Sequence, residues 1–72
     1  MYQDQREPLF RFLAGGKEFH SGNGVGGPGQ ACAVAREAAR QKPGIEHTVH
    51  HRDGRFLAAY KLVGTKLLVR MA

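Results

Sequence analysis

Residues 45–62 read IEHTVHHRDGRFLAAYKL, and how this stretch folds decides the fold of the chain. Two runs carrying β-branched and aromatic residues flank Asp53-Gly54. That pair is favoured in a two-residue type I′ turn, where both central positions take φ > 0. Pairing across such a turn sets Glu46 opposite Lys61, an opposite-charge pair that supports the register. Ile45, Val49, Phe56, Ala58, Tyr60 and Leu62 then share one face. A Val63-Gly64 turn leads into TKLLVRM, which adds Leu67, Val69 and Met71 to that face.

Upstream, PLFRFLA at 8–14 alternates as a strand does, and Gly15-Gly16 suits a primed turn into a short return strand, KEFH. Phe12 then sits opposite Phe19, with Phe10 on the same face. The helix candidate is PGQACAVAREAARQK, rich in the strongest helix formers and stopped by Pro43-Gly44. Its stripe of Ala31, Val34, Ala35 and Ala38 is mostly small and lets the helix lie close to a sheet. The fold class is therefore α+β: an antiparallel sheet in the order β-β-α-β-β-β with a single helix packed on one face. One domain spans 1–72, with 1–7 a flexible lead-in and 21–29 a glycine-rich loop.

At 72 residues there is room for one core, and a domain this small buries only about 60% of its unfolded surface. The single cysteine, Cys32, permits no internal disulfide and fits a reducing compartment. No apolar run approaches a membrane span, and the first residues lack the pattern of a secretory signal, so the cytoplasm is the expected location. The net charge of +5 favours an anionic partner: nucleic acid, an acidic protein surface or anionic lipid.

Strand alternation sorts the side chains. Phe10, Phe12, Phe19, Phe56 and Tyr60 fall on the helix-covered side. The open side collects Arg11, His20, His50, Arg52, Arg55, Lys61, Lys66 and Arg70, against Glu18 and Glu46, together with Leu13, Leu57 and Leu68. With no aromatic on that side, base stacking is not expected. The candidate partner-binding residues are Arg11, Arg52, Arg55, Leu57, Lys61, Lys66, Leu68 and Arg70, with Leu57 and Leu68 as the apolar centre. The same patch suits a homodimer.

The stretch GNGVGG at 22–27 formally satisfies G-x-G-x-x-G, with Glu46 about 20 residues on. Pro28-Gly29 delays the helix, the preceding strand is half a hairpin, and the chain is too short for the parallel sheet that a dinucleotide spans. No Gly-Lys-Ser/Thr of a phosphate loop occurs. An anion at the helix start, on Gly29, Gln30 and Ala31, remains a weaker reading. His47 and His51 share a face while His50 points away, and with only His20 and Cys32 as further donors they do not make a metal set. No Cys32-His-acid arrangement and no paired carboxylates emerge, so neither enzyme activity nor a cofactor or metal is expected. Gly27, Gly29, Ala35 and Arg36 match a spacing of double-stranded RNA-binding domains. Cys32 and Ala33 replace that family's lysines and the strand order differs, so this resemblance is rejected.

Pro28-Gly29, Ala31, Ala33, Ala35 and the ending LLVRM, with the N-terminal hairpin and closing strands, resemble the layout of small phage-encoded anti-CRISPR proteins. The resemblance implies a non-enzymatic inhibitor that binds a CRISPR surveillance complex. The basic charge sets this chain apart from the acidic DNA mimics among them. The expectation is a non-catalytic binding protein for a protein or nucleoprotein partner. The alternative is a sequence-independent nucleic-acid-binding module using the same basic face.

Overall fold

The computed structural model describes residues 8–22 and 24–72; the expected lead-in 1–7 and Asn23 lie outside them. The elements are β1 (Phe10–Ala14), β2 (Lys17–His20), α1 (Pro28–Gln41), β3 (His47–His51), β4 (Phe56–Val63) and β5 (Lys66–Met71). The strands form one antiparallel sheet of five in the order β2-β1-β3-β4-β5, with α1 packed on one face. This is the α+β architecture and element order that the sequence leads one to expect.

The helix packs through methyl groups. Ala31, Ala35 and Ala39 have no exposed surface, and they meet Phe12, Val49 and Ala58, which are equally buried, together with Tyr60. The spacing is i, i+4, i+8, so the buried stripe ends on Ala39 rather than Ala38, with Cys32 and Val34 at its margins. Side chains this small let α1 lie directly over β3 and β4. The exit is fixed from two directions. Lys42 N–H donates to Ala38 O at 3.1 Å, and Gly44, at φ 86°, donates to Leu62 O at 2.8 Å. Gly44 thus ties the end of the helix to β4.

The three hairpins use three different connections. Gly15 and Gly16 have φ of 58° and 90°, as a type I′ turn needs. Gly64 and Thr65, rather than Val63-Gly64, form the last turn: Val63 pairs with Lys66, and only Gly64 is at positive φ, as in type II′. The connection at Asp53-Gly54 is not type I′, because Asp53 has negative φ. It is a longer loop, closed by His51 N–H donating to Arg55 O at 2.8 Å, with Gly54 at φ 98° in the last position. The Asp53 carboxylate accepts from Arg55 N–H at 3.0 Å, the side-chain-to-backbone bond that suits a turn.

That loop changes the strand beyond it. His47, Thr48 and Val49 pair with Tyr60, Ala59 and Ala58, the register expected from the sequence, but His50 pairs with Phe56. Leu57 is the extra residue of a bulge. A second bulge in β2 pairs Phe12 with His20 rather than Phe19, although the rings of Phe12 and Phe19 still meet edge-on at 5.9 Å.

The glycine-rich loop is anchored, not slack. Val25 is buried in the core, and its N–H donates to Gly22 O at 3.3 Å. Gly22 N–H donates to His20 Nδ1 at 2.9 Å. Gly22 has φ 85°, and a Cβ there would lie 2.7 Å from Pro8 Cβ and 3.0 Å from Phe10 O. Gly26 has open surroundings and no such conformational demand. Gly22→Ala is therefore expected to cost more than about 1 kcal/mol in chemical denaturation. Gly26→Ala stays within about 0.5 kcal/mol. Equal effects at the two positions would show that the loop is a hinge.

Candidate functional site

The face opposite α1 carries no second layer among the described residues. The register places Arg11 and Leu13 of β1, Thr48 and His50 of β3, Ala59 and Lys61 of β4, and Lys66, Leu68 and Arg70 of β5 on it. Glu18 joins from β2 and Glu46 from the segment before β3. Each meets an arginine: Arg11 Nε lies 3.7 Å from Glu18, and Arg70 Nη2 lies 3.5 Å from Glu46. Glu46 therefore pairs with Arg70, not with the expected Lys61. These are loose, solvent-exposed pairs that contribute little to stability. Lys61 and Lys66 have no carboxylate partner among the described residues.

The bulge at Leu57 places Phe56 on this face. Its ring meets His50 edge-on at 5.8 Å, and Arg70 Cζ lies over it, 5.1 Å from the centroid. His50 Nε2 is hydrogen-bonded to Thr48 Oγ1 at 3.1 Å. The face therefore has an aromatic centre, contrary to expectation. Leu57, expected as half of the apolar centre, packs instead against the hydrophobic core. Leu68 is 47% exposed and stays in the open. A shallow hollow of about 180 Å³ lined by Arg11, Leu13, His50 and Gly54 continues the surface.

Arg52 and Arg55 stand at the tip of the β3–β4 hairpin, in a hollow shared with Leu9, His51 and Asp53. Arg52 N–H donates to Leu9 O at 2.9 Å. Arg55 Nε donates to Asp53 at 2.8 Å. The Arg55 N–H, followed by its guanidinium, holds the Asp53 carboxyl below the ordinary aspartate range. Seven of the eight expected contact residues thus lie on the uncovered face or its rim, and Leu57 does not.

The remaining candidates are absorbed by structure. Gln30 turns back on the loop: its Oε1 accepts from Gly26 N–H at 3.1 Å and its Nε2 donates to Gly24 O at 3.2 Å. Ala31 N–H donates to Gly27 O at 2.9 Å, the first helical bond. With the helix starting at Pro28, Gly29 lies in its first turn rather than in the loop, and the amides of Gly29 and Gln30 stand ahead of the first helical bond. His47 is 1% exposed, donates from Nδ1 to Ile45 O at 2.8 Å and meets the Phe19 ring at 5.2 Å. His51 packs on Phe10 at 5.7 Å. His20 pairs with Phe12, their rings 5.0 Å apart, and so leaves the open face where the sequence had placed it. Among the described residues no three of His, Cys, Asp and Glu converge as a metal site, and no helix is long and apolar enough to cross a membrane.

No known protein family, curated protein or solved structure matches the chain.

On the covered side, burial and then a hydrogen bond with Cys32 push the Tyr60 hydroxyl from 10.0 up to about 12. The folded state therefore favours the neutral phenol. The stability this group contributes is complete below about pH 10 and is lost as pH rises through the folded pKa. The phenolate absorbance of the native protein should contain one tyrosine that titrates about two pH units late, and Tyr60→Phe should remove it. Two tyrosines titrating together near 10 would place Tyr60 in solvent.

Proposed function

We propose that this is a non-enzymatic binding protein whose uncovered sheet face docks on an anionic protein or nucleoprotein surface. The observation that carries it is the composition of that face. Phe56, with Arg70 over its ring, and Leu68, opposite Lys61, are apolar points set among Arg11, Lys61, Lys66 and Arg70, and Glu18 and Glu46 are both engaged by arginines. Aromatic and arginine residues around an apolar centre are the residue types that dominate binding energy at interfaces. Lys61 and Lys66 supply long-range attraction, which acts mainly on association rate and partner choice. The resemblance to anti-CRISPR proteins supplies a specific nucleoprotein target, a CRISPR surveillance complex, and a cytoplasmic setting goes with it.

Phe56 favours a second reading, sequence-independent nucleic-acid binding. An aromatic ring beside phosphate-seeking cations is the arrangement used by single-strand binders. Here Arg70 already lies over the ring, so a base stacks on Phe56 only by displacing the guanidinium.

One titration separates the two. The protein is mixed with a purified surveillance complex, with its guide RNA alone, and with duplex DNA, at about 50 and 200 mM salt. Docking on the complex predicts binding that persists at the higher salt, is weakened at least tenfold by Leu68→Asp, and is weakened roughly tenfold by Lys61→Glu with Lys66→Glu. Equal binding to bare RNA and DNA, falling steeply with salt, selects the second reading. Binding to none of the three at the lower salt rejects the assignment of this target and of nucleic acid together.

A further inference from the structure

The two edges of the sheet are built differently. β2 is short, bulged and charged at its start, KEFH, all devices that discourage strand addition. β5 is longer, unbulged and apolar along much of its length, KLLVRM. On its helix side Leu67 packs against the core, but Val69 is 52% and Met71 58% exposed, because α1 lies mainly over β3 and β4. Its outer backbone groups can be assigned. Ala72 N–H donates to Leu57 O at 3.0 Å, so alternation turns Ala72, Arg70, Leu68 and Lys66 toward β4. Leu67, Val69 and Met71 therefore direct their N–H and C=O groups outward, with no strand to receive them among the described residues.

We propose that β5 pairs antiparallel with β5 of a second copy of this chain, about a two-fold axis through Val69. Only residues 67, 69 and 71 can exchange hydrogen bonds across the edge, and the register centred on Val69 is the one that engages all three. Val69 then faces the partner's Val69, and Leu67 faces the partner's Met71. The exposed Val69 and Met71 and the half-buried Leu67 become one continuous apolar ladder. On the other face Leu68 meets the partner's Arg70, and Lys66 meets the partner's Ala72. No two cations stand directly opposite, so the strand is complementary to itself in charge as well as in hydropathy. The pairing is isologous, so it closes at two copies, and the remaining outer edges are the two short, bulged β2 strands. A dimer of this kind joins the two uncovered faces side by side, with Lys66, Leu68 and Arg70 of both copies near the axis. It does not depend on what those faces bind.

The test uses single cysteines in the Cys32→Ser background. Directly paired strand residues have Cα atoms about 5.5 Å apart, within disulfide range. Val69→Cys is therefore expected to form a disulfide-linked dimer under mild oxidation. Leu67→Cys does not, because the partner's Leu67 is displaced along the strand by about 14 Å. The unmodified chain should move from monomer to dimer in sedimentation over about a hundredfold concentration range, and Val69→Lys should abolish that shift with unchanged circular dichroism. Two results overturn the proposal: a wild-type chain that stays monomeric throughout, or cross-linking as efficient at position 67 as at position 69.

Discussion

The structure depends on the contact between three alanines and the centre of the sheet. Ala31, Ala35 and Ala39 present methyl groups to Phe12, Val49, Ala58 and Tyr60, and nothing in this layer is exposed by more than a few per cent. Small residues on the helix bring its axis close, so the larger aromatic residues of the sheet supply the volume of the core. One helix of 14 residues cannot roof five strands. It lies mainly over β3 and β4, and the exposed apolar surface of Val69 and Met71 on β5 is the direct consequence. The glycine-rich loop belongs to the same design. It carries the chain from β2 to the start of α1 while inserting Val25 into the core, and the positive φ of Gly22 makes that path possible.

The uncovered face is shaped by a single extra residue. Had the β3–β4 connection been a two-residue turn, Phe56 would point into the core and Leu57 into solvent. The longer loop and the bulge exchange them. The exchange is favourable on both sides: an aliphatic side chain enters the core, while an aromatic one gains a guanidinium and an imidazole as neighbours. What would have been a scattered set of leucines and cations becomes a cluster with an aromatic centre.

Much of this was legible in the sequence. The strand periods, the alanine-rich helix, the Gly15-Gly16 turn and the mid-strand register of the long hairpin all follow from local rules. The misreadings that reshape the sheet face share one cause. Asp-Gly fits both a type I′ turn and the last two positions of a longer loop, and nothing in residues 52–55 chooses between them. The choice is made by which of Phe56 and Leu57 packs better against a core assembled from distant segments, which no local window contains. The bulge that moves His20 beside Phe12 is of the same kind. Likewise, Gln30 reads only as part of a helix start, and nothing local shows that the loop folds back within reach of its side chain. The basic character of the open face survived these shifts, because alternation in β5 and the inner part of β4 lies beyond the bulge.

The exchange of Phe56 and Leu57 is the step that turns fold into site, and proton–proton contacts in solution report on it directly. In a nuclear Overhauser spectrum the Phe56 ring protons should show cross-peaks to His50 and to the Arg70 side chain, and none to α1, while the Leu57 methyls connect to the core. Cross-peaks from Phe56 to the core residues Val49 and Ala58, with Leu57 silent, would contradict the bulge and dissolve the aromatic centre of the face.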